Sequence, residues 1–231
     1  MAYELTKELS EQEWKQKRSS YLGGSEIAAT LGESKYKTPY QLWLEKTGRM
    51  KTEVDNQVTY FGQIFEPHLA EHFSQQTGLT VQQDHKTRYD PDYPFLSANI
   101  DRLIQSNEEH GGPGVLELKT TTSHAVRSWE EEIPIEWRYQ IQHYLMITGF
   151  EYGYLQVYER NHCRYHDPVF IERDEYLIQR NRQKLIEFWH NHILEDNPPD
   201  FQNSEDLKIA YPQEEQDKVI EASDEIFNRW L

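Results

Sequence analysis

The sequence predicts a mixed α/β fold, an α+β sheet flanked by helices, and three observations point there. The first third carries helix start and stop signals, the middle third changes to short runs with the two-residue period of strands, and a long amphipathic helix pattern follows. The resulting order of α, β-meander, α, β, α suits a mixed sheet with helices packed on its faces. A chain of 231 residues can hold one generous core, and six Trp, fifteen Tyr and nine Phe supply its bulk despite a polar average. We therefore expect a single domain over 1–231, with an N-terminal helical part over about 1–55, a core over about 56–195 and an acidic tail over about 196–231.

The elements are justified in chain order. "SEIAATLGES" opens on Ser25 as a possible N-cap and stops at Gly32, while "TPYQLWLEKTG" has Thr38 as cap, Pro39 at the first helical position and Gly48 past the end. Tyr60, Ile64, Leu69 and Phe73 fit a longer helix from about Asn56 to Thr77, ended by Gly78, in which Pro67 should cause a kink or mark a new start. "LTVQQDHKTRYD", "FLSANIDRLIQS" and "GVLELKTT" read as three strands of a meander, the last two joined by the "HGGPG" turn. "IPIEWRYQIQHYLMITG" gives a helix closed by Gly149, "YGYLQVYERNHCRYHDPVFIERD" a pair of strands, and "DEYLIQRNRQKLIEFWHNHILED" the long amphipathic helix. Its "EFWHNHI" stretch suits the core-facing side better than a base-stacking platform.

Composition excludes several functions. No apolar run is long enough to span a membrane, and the N-terminal "MAYELTKELSEQEW" lacks the basic start and apolar middle of a signal peptide, so a cytoplasmic protein is expected. Cys163 is the only cysteine, which rules out an internal disulfide and a Cys-based zinc cluster, and His143, His162 and His166 have no zinc-binding spacing with the acids. The net charge of −16 argues at first against nucleic acid, but it is unevenly spread: residues 1–51 hold nine Lys/Arg against seven acids, whereas 195–231 hold three against eleven.

The stretch "GVLELKTT" carries the chemistry. Side chains alternate along a strand, so Leu116 and Leu118 face one way while Glu117 and Lys119 share the other face, which by itself also describes an ordinary half-exposed strand. The preceding strand has a lone acid in an apolar setting, Asp101. If the two strands pair across the Gly-rich turn, Asp101 lies beside Glu117, and carboxylates that close are costly to ionise without a cation between them. Hard oxygen ligands of this kind suit Mg²⁺ or Mn²⁺, and an adjacent lysine can orient an attacking water and stabilise charge on phosphorus.

These residues resemble the D…(D/E)-x-K signature of the PD-(D/E)xK nuclease superfamily, with Ala98-Asn99-Ile100 ahead of Asp101 where the name has a proline. "YLGGSEIAATLGESKYKTPYQLWLEKTG", "FGQIFEPHLAEHF" and "YQIQHYLMITG" are similar to the lambda-exonuclease or YqaJ-type viral recombinase branch, over roughly residues 14–190. The resemblance implies a restriction-endonuclease-like core with Asp101 and Glu117 as metal ligands, Glu66 as the helix acid joining them, the Leu118 main-chain carbonyl as a further ligand and Lys119 as the catalytic lysine. It also implies an active-site glutamine, matched by Gln142 with Gln140 as the alternative, and a 5′-phosphate site to which Arg18 and Ser25 are candidates.

The function so implied is a Mg²⁺-dependent 5′-to-3′ exonuclease on double-stranded DNA ends, with Mn²⁺ as a substitute, leaving 3′ single-stranded overhangs for phage-type recombination. The resemblance further implies a ring-shaped homotrimer, a single-strand annealing protein as partner, no membrane, and the host cytoplasm for a phage-encoded protein. Two alternatives stay open: a structure-selective or restriction-type endonuclease on the same core, and a non-catalytic interaction module retaining it.

Overall fold

Helix and strand boundaries follow from local chemistry in most of the chain. The computed structural model describes residues 3–5, 19–50, 56–122 and 133–212. By its contacts the chain divides into Met1–Asp200 and Phe201–Leu231. The first unit holds strand β1 (Tyr3–Leu5), a 3₁₀ turn (Gly24–Glu26), helices α1 (Ile27–Thr30), α2 (Pro39–Lys46) and α3 (Asn56–Thr77), strands β2 (Val81–Gln83), β3 (Thr87–Tyr89), β4 (Ser97–Ala98), β5 (Arg102–Ile104) and β6 (Gly114–Thr121), helix α4 (Ile135–Thr148), strands β7 (Tyr152–Glu159), β8 (Arg164–Tyr165) and β9 (Val169–Glu172), and helix α5 (Glu175–Phe188), which runs on into a π-helical segment, Trp189–Leu194. The second unit contains helix α6 (Ser204–Ala210), capped by the Asn203 side chain, which accepts from the backbone N–H groups of Glu205 and Asp206.

Cap residues set several helix ends as expected. Thr38 accepts from Gln41 N at 3.1 Å while the Gln41 side chain accepts from Thr38 N at 3.2 Å, a reciprocal capping box before Pro39. Asp174 caps α5 by accepting from Leu177 N at 2.9 Å. Gly149 ends α4 with φ of 73°, a left-handed conformation that a side chain disfavours. Helix α3 continues through Pro67, where the sequence suggests a kink or a new start. Ser25 is not a helix N-cap: it lies exposed within the 3₁₀ turn, and Glu26 takes the position that precedes α1.

The main sheet has the order β2-β5-β6-β7-β8, with β9 also paired to β7. It is mixed, because β6 and β7 are parallel, joined by the segment containing α4, while the remaining pairs are antiparallel. The expected meander is split. "LTVQQDHKTRYD" contributes β2 to the main sheet and β3 to a second sheet of order β1-β3-β4, and "FLSANIDRLIQS" divides likewise into β4 and β5. The Asn99–Asp101 stretch between β4 and β5 leaves both ladders, and that departure frees Asp101 to use its carboxylate on a neighbouring strand.

Both faces of β6 are covered, so the strand is not half exposed. Leu116 and Leu118 pack in a cluster with Leu69, Ala70 and Phe73 of α3 and with Tyr152, Tyr154 and Tyr158 of β7. The opposite face meets α4: a Cβ on Gly153 of β7 would lie 2.9 Å from Ile141 Cγ2, so the helix rests on the strand where no side chain intervenes. A polar Glu117 and Lys119 are thereby held beneath a helix. Among the described residues no helix is long and apolar enough to cross a membrane.

Candidate active site

Register brings the first two acids together. The β5–β6 ladder pairs Arg102 with Leu116 and Ile104 with Gly114, so continuing it by one step sets Asp101 opposite Glu117. Asp101 Oδ2 accepts from the backbone N–H of Leu118 at 2.8 Å, which locks the carboxylate against β6. Glu117 is 1% exposed. Its Oε1 is 2.6 Å from Lys119 Nζ and accepts from Gln140 Nε2 at 2.7 Å, whereas Oε2 is buried with no hydrogen-bond partner.

Glu66 approaches from α3. Its Oε2 lies 3.4 Å from Nη1 of Arg102, and that nitrogen also donates to the Asp101 carbonyl at 2.6 Å. Arg102 therefore ties the α3 acid to the segment carrying Asp101. It escaped the sequence reading, although its position directly after Asp101 was a usable signal, because a cation beside a cluster of acids lowers their mutual repulsion.

The electrostatics are those of an over-acidic pocket. Burial pushes the Glu117 carboxyl up, to about 8, and the neighbouring Asp101 adds to the rise against the pull of the Lys119 ammonium. Asp101 is raised by burial, with Lys119 opposing, and Glu66 by burial and then by Asp101, with Arg102 opposing. Burial alone would lower Lys119, but Glu117, Asp101 and Glu66 more than offset it and hold the ammonium above its usual range.

The glutamine assignment changes. Gln140 Oε1 accepts from Lys119 Nζ at 3.0 Å, and Gln140 Nε2 donates to Glu117 Oε1 and, at 2.8 Å, to the Tyr144 hydroxyl. Gln142 is elsewhere. Its Nε2 donates to the Glu172 carbonyl at 2.6 Å and its Oε1 accepts from Asp174 N at 2.9 Å, so it fastens β9 and the start of α5. Two positions along a helix are about 200° apart around its axis, so only one of the two glutamines can face β6. The alternative, Gln140, holds that place.

Of the remaining candidates, Arg18 lies outside the described residues. Ser25 is exposed, and the adjacent Gly24 packs directly on Gln140 and Tyr144: a Cβ there would lie 3.1 Å from Gln140 Cγ and 2.5 Å from Tyr144 Cε1. The turn with Ser25 is thus a neighbour of the acid cluster through one layer of side chains. Glu26, in the same turn, is fixed by Lys46 Nζ at 2.8 Å and by the N–H of Gly23 at 3.0 Å. His143, on α4, lies with Nε2 2.9 Å from the Ser97 carbonyl and is held down to about 4 by burial, so it is a neutral packing residue.

The donor set fits a hard divalent cation in two respects: the acids supply only oxygen, and Glu117 Oε2 is a buried carboxylate oxygen without a partner. As arranged, no three His, Cys, Asp or Glu among the described residues converge on one cation position, and Lys119 lies against Glu117 Oε1 and Arg102 near Glu66 Oε2.

A mixed sheet that brings an aspartate, a glutamate and a lysine two residues beyond it to one point is the PD-(D/E)xK type of core. Solved structures share the fold: an alkaline exonuclease (LHK-Exo) from Laribacter hongkongensis has a TM-score of 0.63 and 20% identity, over 80% of this chain and 93% of that one. A phage-related exonuclease from Haemophilus somnus 129PT has a TM-score of 0.56 and 13% identity, over 80% of this chain and 100% of that one. The chain belongs to the YqaJ-like viral recombinase domain family, which it matches over residues 13–151. It is 36% identical over 222 residues to the uncharacterized protein YqaJ of Bacillus subtilis (strain 168), across 93% of this chain and 67% of that one.

Proposed function

We propose that this protein is a Mg²⁺-dependent 5′-to-3′ exonuclease on double-stranded DNA ends that leaves 3′ overhangs for recombination. The observation that carries the hydrolytic reading is the meeting of Asp101, Glu117 and Lys119 on β6 and its neighbour, with Glu117 Oε2 buried and unpartnered. Support for the substrate comes from the family and from the fold shared with proteins described as exonucleases.

Each residue has a part in this reading. Asp101, Glu117, the Leu118 carbonyl and Glu66 would hold Mg²⁺, or Mn²⁺ in its place, and Glu66 would leave Arg102 to do so. When bound, the metal supplies Lewis-acid activation of the phosphodiester and lowers the pKa of a coordinated water. Lys119, oriented by Glu117 and Gln140, holds the attacking water and neutralises charge on the phosphorane oxygens. Arg18 and Ser25 receive the 5′-phosphate, which gives the polarity. The same reading includes a homotrimeric ring, a single-strand annealing partner and a cytoplasmic location.

The test compares linear and closed circular duplexes with and without Mg²⁺. Digestion of the linear duplex only, dependent on the metal and faster with a 5′-phosphate than a 5′-hydroxyl, is expected. Cutting of the closed circle would move the assignment to an endonuclease, and no cleavage with either Mg²⁺ or Mn²⁺ would remove it.

A further inference from the structure

We infer that Arg102 is a built-in competitor of the metal: it holds Glu66 apart from the other two acids in the metal-free protein and so lowers the affinity of the site for a divalent cation. This inference rests on the nuclease reading of the site. The cluster brings the carboxylates of Glu66, Asp101 and Glu117 together with the cations of Lys119 and Arg102. Lys119 sits beside Glu117 on the same strand, whereas Arg102 faces the acid that arrives from α3.

The acids are not held alike. Asp101 accepts from Leu118 N at 2.8 Å, and Glu117 Oε1 is gripped by Lys119 at 2.6 Å and by Gln140 at 2.7 Å. Glu66 has a looser hold: its Oε2 lies 3.4 Å from one guanidinium nitrogen, and its side chain is 35% exposed. Arg102 is the fixed member of that pair. The same nitrogen donates to the Asp101 carbonyl at 2.6 Å and the side chain is only 8% exposed, so the carboxylate is the partner free to move.

Alternation along β5 accounts for the burial of the arginine. Arg102 and Ile104 are two residues apart and share a face, and Ile104 belongs to the apolar cluster that contains Leu69 and Phe73 of α3. A guanidinium placed there is costly to leave without its counter-charge. Glu66 has to give up that contact to become a metal ligand, and the cost opposes metal binding. The order of assembly follows: Asp101 and Glu117 would receive the metal first, and Glu66 would join last. Without Arg102 the acids would face Lys119 alone, and their repulsion would favour capture of a cation at lower concentration. An arginine that instead oriented Glu66 for the metal would have the opposite effect on affinity.

The experiment uses the full chain, stripped of metal and without DNA, with Mn²⁺ as the probe and unbound Mn²⁺ read by its electron paramagnetic resonance. Arg102→Gln should bind Mn²⁺ about tenfold more tightly than the parent, a size between the exposed and buried limits for a broken ion pair. Glu66→Gln should bind it more weakly, and adding Arg102→Gln to Glu66→Gln should change the affinity by less than about twofold, since no carboxylate is left for the arginine to withhold. In the parent, labelled with ¹⁵N, the guanidinium N–H groups of Arg102 should exchange with solvent faster once Mg²⁺ is added, a reading that depends on no variant folding.

Weaker Mn²⁺ binding by Arg102→Gln would make the arginine an orienting partner of Glu66 and overturn the proposal. Equal tightening with and without the Glu66 carboxylate would reduce the effect to the field of a lost charge, and unchanged or slower guanidinium exchange in Mg²⁺ would show that Glu66 stays in place; either result overturns it as well. A parent that binds Mn²⁺ and cleaves DNA while failing these tests loses only the competitor role. A parent that neither binds Mn²⁺ nor cleaves DNA fails the nuclease reading itself and takes this role with it.

Discussion

Among the described residues, the glutamate–lysine pairs Glu26–Lys46 and Glu117–Lys119, each with a buried glutamate, differ in how completely they are served. In the first, Lys46 Nζ is 2.8 Å from Glu26 Oε2, donates to the Tyr21 carbonyl at 2.5 Å, and the same glutamate oxygen accepts from Gly23 N at 3.0 Å. In the second, Lys119 Nζ is 2.6 Å from Glu117 Oε1, but Glu117 Oε2 has no partner, and Asp101 and Glu66 add negative charge that Arg102 only partly offsets. The first pair is closed, and it anchors a turn. The second is under-compensated, and its glutamate is pushed up to about 8 by burial and the adjacent Asp101. Burial of an ion pair therefore does not identify a reactive site. What separates the two is the buried oxygen left over and the unbalanced charge around it.

The largest effects should separate the pairs by observable. Lys119→Ala is expected to keep its fold and DNA binding while losing roughly 10²- to 10⁴-fold in kcat, as when an acid–base or charge-stabilising contact of the transition state is removed. Near-parental digestion of linear duplex by this variant would erase the distinction. Lys46→Ala should do the reverse, costing about 3 to 5 kcal/mol in denaturant unfolding because Glu26 is left buried without its counter-charge, with cleavage per folded molecule retained. A Lys46→Ala protein as stable as the parent would show that the closed pair anchors nothing.

The next effect concerns the metal. Metal that binds only the folded state stabilises by mass action, about 2.7 kcal/mol at a hundredfold excess over its dissociation constant. Mg²⁺ should raise the parent Tm accordingly, and Asp101→Asn should lose most of that rise. Without metal the order should invert, since Asp101→Asn relieves carboxylate repulsion while its side-chain oxygen can still accept from Leu118 N. A variant destabilised in EDTA that still gains as much as the parent from Mg²⁺ would describe a structural aspartate.

The smallest effect is the pH slope of stability in EDTA. Glu117 binds its proton more tightly folded, at about 8, than its ordinary value of 4.5, so between these values the folded state holds more protons and stability falls as pH rises. Glu66 and Asp101 are raised and act in the same direction. His143 opposes them only below its ordinary 6.5, because it is lowered to about 4. From pH 6.5 to 8 the carboxyls act without it. Tm should therefore fall over that window, and Glu117→Gln should flatten the fall. An equal slope in Glu117→Gln and parent would place the titration elsewhere.

Much of this was legible along the chain. Thr38-Pro39, Gly149 and the Gly-rich turn at 110–114 act on their own neighbours, so caps, stops and the β5–β6 pairing could be read without tertiary information. That pairing, with the two-residue period of β6, already brought Asp101, Glu117 and Lys119 to one point. The family motifs added Glu66. Both strand segments that split between two sheets were read as single strands, because a chain leaving one ladder for another is decided by partners far away in sequence.

Tertiary structure alone decided the rest. Gln140 and Gln142 are chemically identical and two residues apart, and only the rotation of α4 against β6 determines which one meets Lys119. Arg102 became a bridge to Glu66 only when α3 packed beside β5, and Gly24 met the Tyr144 ring only when its turn came down on α4. Sequence determines which groups can donate, accept or carry charge. Whether a glutamate beside a lysine closes a turn or keeps a buried oxygen open is set by the atoms that folding places around it.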